Sequence, residues 1–152
     1  MNERLKITSK TRSATIETTI RPKSTYELEC MIKAELKQQG PDADLNHIDV
    51  SNVTSMVFLF SDIGYVRDIK IDKWDVSNVK DMEGMFRDCY AFDCDLSSWD
   101  VSNVRDMSYM FYGCESFESD LSSWNVWKVN DWKEIFTGSL MEQHEDLQPY
   151  FV

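Results

Sequence analysis

The sequence predicts an α/β repeat protein, a short solenoid whose coils each carry one strand and a helical return, closed at its N-terminal end by a strand and helix cap. Three observations predict it. A WDVSNV-like core recurs at Ile48, Trp74, Trp99 and Trp124, at spacings of 26, 25 and 25 residues. The copies keep register: Val53, Val79, Val104 and Val129 share one slot, Met56, Met82, Met107 and Trp132 a second, and Phe60, Phe86, Phe111 and Phe136 a third. Each copy also passes from an alternating to a helical spacing of apolar residues. Self-similarity at such a period marks units that cannot bury their apolar face alone and stack on their neighbours.

The chain divides into residues 1–40 as an N-terminal cap, 41–138 as about four repeats and 139–152 as a C-terminal cap or tail, all within one domain. In residues 4–21, Leu5 and Ile7, then Ala14, Ile16 and Ile20, follow one alternation around the SKTR turn, the pattern of two short strands. Ser24 and Glu27 form an S-x-x-E capping box. Leu28, Met31, Ile32 and Leu36 follow at helical spacing over 25–39, until Gly40 and Pro41 stop the helix. Its apolar face is expected to cover the first coil.

The copy starting at Trp99 serves as the specimen. Leu96, Trp99 and Val101 alternate as in a strand. Asn103, with Asn52 and Asn78 in the same slot, is expected to form a buried ladder that satisfies backbone groups at the turn. Val104, Met107, Met110 and Phe111 are spaced as on one helix face, and Cys114 and Phe117 fill the return path. The first full copy is one residue longer than the others, so a bulge is expected near 63–67. The last reads WNVWKV, with Trp127 in a serine slot and Lys128 where the ladder asparagine belongs. Loss of the ladder suits a coil with no successor. The tail mixes Leu140, Met141, Leu147, Tyr150 and Phe151 with acids, as a folded-back cap does.

The phrase DVSNVxDMxxMFxxCxxFxxDLSSWDVSNV, nearly unbroken over 75–104, resembles the repeat of BspA-like leucine-rich-repeat proteins of bacteria and their mobile elements. The resemblance covers 41–138 and extends to the lead-in helix and GPDADLNHIDVSNV. It implies a right-handed, leucine-rich-repeat-like solenoid whose strands line a concave face, with helical segments behind. Many relatives are surface proteins that bind other proteins.

Composition narrows the function. The chain has 152 residues, 42% apolar and 28% charged, as an ordinary globular domain does. Its longest uncharged apolar run, 56–60, is far too short to span a membrane, and MNERLKITSK lacks the apolar region of a signal peptide, so a cytoplasmic protein is expected. The net charge of −11 is uneven: residues 1–40 hold eight basic and five acidic side chains, a net +3, which leaves −14 for the rest. Such a field favours basic partners and opposes direct nucleic-acid binding.

Neither catalysis nor a cofactor is expected. Asp49, Asp75 and Asp100 recur for structure, neither His47 nor His144 lies in a nucleophile or metal pattern, and five glycines form no phosphate loop. Cys30, Cys89, Cys94 and Cys114 make no CxxC pair, and Cys89 and Cys114, sharing a slot, read as stacked buried residues without a disulfide. The DCD at 93–95 lacks the tight glycine turn of a calcium loop and reads as solvated acidic face. Asn52 begins a formal glycosylation sequon but is assigned to the buried ladder, so no glycan is expected.

Binding remains. Between each tryptophan and valine the outward strand residue is Asp49, Asp75, Asp100 and then Asn125, a stripe beside which Trp127 adds hot-spot material. The leading expectation is a protein-binding module that engages a basic partner through its concave strand face. The alternatives are an intracellular mobile-element inhibitor of a host defence protein or nuclease, imitating a phosphate track, and a fragment of a bacterial surface adhesin.

Overall fold

Backbone hydrogen bonds run from copy to copy in register along the chain, so the repeats stack as successive coils. The structure, a computed structural model, describes residues 20–61 and 63–152. With Trp99 as slot 1, the N–H groups of slots 9, 11, 13 and 15 each donate to the carbonyl one slot earlier in the next coil. Met82 donates to Asp106 at 2.9 Å, Gly84 to Ser108 at 2.8 Å, Phe86 to Met110 at 3.0 Å and Asp88 to Tyr112 at 2.8 Å. The same set links the third coil to the fourth: Met107 to Asp131, Tyr109 to Lys133, Phe111 to Ile135 and Gly113 to Thr137. Single parallel bridges mark the register: Ser55 to Asp81, Asp81 to Asp106 and Asp106 to Asp131.

The expected α/β repeat, with a strand-lined face and helical segments behind it, is not what these coils form. Among the described residues there is one α-helix, outside the repeats, and no strand longer than an isolated bridge, so no sheet. The coils are built from consecutive turns. Val79, Met85, Cys89 and Phe92 donate backbone N–H groups to the carbonyls of Val76, Met82, Phe86 and Cys89, each three residues back. A three-residue spacing of apolar groups belongs equally to one helix face and to successive turns. Left-handed residues decide for turns. Slot 11 has positive φ in every copy (Phe58, Gly84, Tyr109, Glu134), as does slot 15 in Asp88, Gly113 and Gly138. A right-handed helix cannot run through such positions.

Aspartates fix the remaining turns. In each interior coil, slots 2, 8 and 22 carry an aspartate whose Oδ1 accepts the backbone N–H two residues on: Asp100 from Ser102, Asp106 from Ser108 and Asp120 from Ser122, at 2.8–3.0 Å. These are Asx turns, in which the side chain mimics the backbone acceptor of a turn.

Inside the stack each slot packs on its own kind. Phe60, Phe86, Phe111 and Phe136 stack at centroid distances of 5.3, 5.6 and 5.7 Å, and Phe92 lies 5.5 Å from Phe117. The tryptophans are held by direct bonds between coils: the indole N–H of Trp74, Trp99 and Trp124 donates to the carbonyl of Leu45, Ile71 and Leu96, at 3.0–3.1 Å. The buried thiols of Cys89 and Cys114 are free and face the carbonyls of Phe60 and Phe86. Asn78 and Asn103 do bond back one coil, to the carbonyls of Ser51 and Ser77 at 2.8 Å. Asn52 and Asn78 are exposed, however, so the asparagine column lies at the surface. The extra residue of the first coil falls between Val66, buried like Phe92, and Ile69, buried like Cys94.

Different devices close the two ends. The helix α1, Thr25–Gln39, starts where Ser24 Oγ accepts the Glu27 N–H at 3.1 Å, while the Glu27 carboxylate reaches back to the Lys23 N–H at 2.7 Å. It buries Leu28, Ile32 and Leu36 in the common core, and Thr25 Oγ1 donates to the carbonyl of Ser55 in the first coil. The hairpin expected over 4–21 falls outside the described residues except at Ile20, which bridges to Ile48, and Arg21. At the other end the tail makes two 3-10 turns, Leu140–Gln143 and Glu145–Leu147. Met141 is fully buried, and Phe151 stacks on Trp132 at 5.2 Å.

Candidate partner-binding surface

The column Asp49, Asp75, Asp100 and Asn125 begins four turns. Asp49 accepts from the backbone N–H and hydroxyl of Ser51 (3.0 and 2.6 Å), and Asp75 does the same with Ser77 (3.1 and 2.6 Å). Asp100 caps Ser102, and Asn125 makes the weakest such bond, 3.4 Å from the Trp127 N–H. Part of the charge is already answered. Arg21 grips Asp49, its Nε at 2.7 Å, and the Ser51 and Arg21 bonds together hold that carboxyl at about 2. Ser102, and to a lesser degree the Lys128 cation, holds Asp100 below the usual carboxylate range. Lys128 itself donates to Asn103 Oδ1 at 2.7 Å. The acidic stripe is therefore a row of turn caps, neutralised at its first rung and shared with a lysine near its last. Trp127 sits at the final rung with 83% of its surface exposed.

A second acidic surface lies on the same coils at slots 20 and 22. Asp68, Asp93, Asp95, Glu118 and Asp120 line an open groove of about 440 Å³, with Ser97, Ser119 and Cys94 between them. Two of the five acids are caps. Asp95 accepts from Ser97 N–H at 2.9 Å and Asp120 from Ser122 at 3.0 Å, and these serines keep both carboxyls lowered and ionised. Asp68 pairs with Lys70 at 2.7 Å, and Glu118 lies 3.8 Å from His144 Nε2. The Asp93 backbone N–H donates to the Arg67 carbonyl at 2.9 Å, while its carboxylate has no hydrogen-bond or ion-pair partner among the described residues. Burial pushes the Cys94 thiol up to about 11, so the floor of the groove is neutral. Among the described residues, no lysine or arginine lines it.

In the sequence alone this surface reads as solvated acid without a calcium loop. Its signal was the period: Asp93 and Glu118, and Asp95 and Asp120, are 25 residues apart and therefore neighbours across one coil step. The groove offers carboxylates fixed by a hydrogen-bonded backbone, the chemistry that receives ammonium and guanidinium groups. Among the described residues, no three histidine, cysteine, aspartate or glutamate side chains converge as metal ligands. A different chemistry occupies the corner at slots 10 to 14. There Arg87 lies over the rings of Tyr109 and Tyr112 at 5.5 and 5.4 Å, and Lys133 lies 5.6 Å from Tyr109.

The family model described as "Mycoplasma protein of unknown function, DUF285" matches residues 28–148, from the cap helix to the second turn of the tail. That family is related to BspA-like surface repeat proteins. No curated protein and no solved structure matches the chain. Among the described residues, no helix is long and apolar enough to cross a membrane.

Proposed function

We propose, for a chain that belongs to the DUF285 family, that it is a non-enzymatic binding module whose acidic groove receives a basic segment of a partner protein. The observation that carries this reading is the groove at Asp93 and Glu118, five carboxylates of which only Asp68 has a lysine partner among the described residues. The first stripe is a weaker candidate, because every one of its acids serves its own turn and two of the three face cations, whereas Asp93 and Glu118 cap no turn. The relation to BspA-like repeats supports the same class of function, since stacked repeats commonly present extended binding surfaces.

Asp93 and Glu118 cap no turn, so reversing their charge spares the fold. The variant Asp93→Lys/Glu118→Lys is expected to bind the partner captured at low salt at least tenfold more weakly than the parent chain, with its far-UV spectrum unchanged. Equal capture by both proteins at every salt concentration would remove the groove from consideration. Displacement of that partner by duplex DNA would instead favour the inhibitor reading, in which the −14 body imitates a phosphate track.

A further inference from the structure

The coil-to-coil ladder stops at the fourth coil with its donors unspent. In the second and third coils the N–H groups of slots 9, 11 and 13 all donate to the following coil. In the last coil these groups belong to Trp132, Glu134 and Phe136, and none has an acceptor among the described residues. The tail replaces a fifth coil only in part. It restores one bond, Leu121 N–H to the Leu147 carbonyl at 2.8 Å, and its Glu142 carboxylate takes the Gly138 N–H at 2.9 Å, the slot 15 donor. Between these closures an open groove of about 470 Å³ remains, with residues 134–137 on one side and the tail on the other. Glu134, Glu142 and Glu145 line it and, among the described residues, no lysine or arginine does, while Tyr150 stands at its rim with 83% of its surface exposed.

We propose that this edge docks a basic peptide segment of a partner protein, folded into the same consecutive turns as a coil, whose carbonyls at every second residue take the N–H groups of Trp132, Glu134 and Phe136 as a fifth coil would. Donors spaced two residues apart call for polypeptide, since a regular row of carbonyls is what a backbone supplies. The three glutamates select for lysine and arginine on that segment. This site stands independently of the groove at Asp93, which lies at other slots.

The test uses the full chain, ¹⁵N-labelled, and a ten-residue peptide that copies residues 104–113 with Asp106→Lys, blocked at both ends. The amide signals of Trp132, Glu134 and Phe136 are expected to shift on titration, and their hydrogen exchange to slow at least tenfold at saturation. Glu134→Lys/Glu145→Lys should weaken binding at least tenfold, whereas Asp93→Lys/Glu118→Lys should change it less than twofold. Binding that leaves those three amides unprotected, or no binding at millimolar peptide, overturns the proposal. So does protection of the same amides without peptide in a concentration-dependent dimer, which would assign the edge to a second copy of this chain.

Discussion

The third coil, 99–123, and the last, 124–138, share a template and differ in what lies beyond them. In the third coil each repeated side chain has a job directed at a neighbour: Asn103 bonds back to Ser77, Cys114 faces the Phe86 carbonyl, and Phe111 lies between Phe86 and Phe136. In the last coil the same slots hold Lys128 and Phe136, and the cysteine slot falls on Ser139, the first residue of the tail. Lys128 reaches back to Asn103, and Ser139 accepts the Met141 N–H at 3.0 Å. The repeat motif thus encodes bonds between coils. Where no coil follows, the slots are freed for the cap or left facing solvent, as Trp127 is.

The largest test of that contrast lies in the phenylalanine stack. Phe111→Ala should cost ~3–5 kcal/mol in urea unfolding, because the cavity is walled by rings from both adjacent coils. Phe136→Ala should cost about half as much, since among the described residues its ring lacks a stacking neighbour on one face. Equal costs would mean that the tail packs the last coil as tightly as another coil would.

Tryptophans come next. Trp99→Phe keeps a ring but removes one of the two donors to the Ile71 carbonyl, the Trp74 N–H being the other, a loss of about 1–2 kcal/mol with the smaller ring included. Trp132, stacked on Phe151, has no indole hydrogen bond among the described residues, so Trp132→Phe should cost less than about 1 kcal/mol. A comparable loss at both positions, measured by the same unfolding curves, would break the distinction between interior and terminal slots.

The smallest effect is on acid stability. Asp49, Asp95, Asp100 and Asp120 are all held below the ordinary value of 3.8, first by their serine partners, and Asp49 reaches about 2. Carboxyls with depressed values stabilise the fold above the unfolded value and lose that contribution as they are protonated. The urea midpoint should therefore fall as the pH drops from about 4 towards 2. Asn125 begins its turn without a titrating group, so Asp100→Asn is expected to flatten this decline slightly while keeping the turn. A steeper decline in that variant would show that the Asx turns do not carry the acid sensitivity.

Much of the arrangement was legible as periodicity. The register of the copies, the residues that share a slot and the cap helix from Thr25 to Gln39 follow from spacing and a capping box, signals written directly in residue types. The secondary structure within a coil was not legible in this way. Val104, Met107 and Met110 satisfy a helix template and a chain of turns equally well, and the deciding left-handed residues include Phe58, Tyr109 and Glu134, none of which advertises that conformation. The Asp-x-Ser pairs did announce Asx turns, and reading Asp49, Asp75 and Asp100 as outward strand residues passed over that signal. The Asp93 and Glu118 surface was hidden for another reason: its acids meet across a coil step, and a local pattern search sees only DCD.

The Trp–carbonyl bond has a genetic consequence. Because Trp99 grips Ile71 as Trp124 grips Leu96, the joint between two coils has the same chemistry at each step. An in-frame duplication or deletion of 25 codons within 74–123 would therefore rejoin compatible partners, and the array could change length by recombination without redesign of either cap.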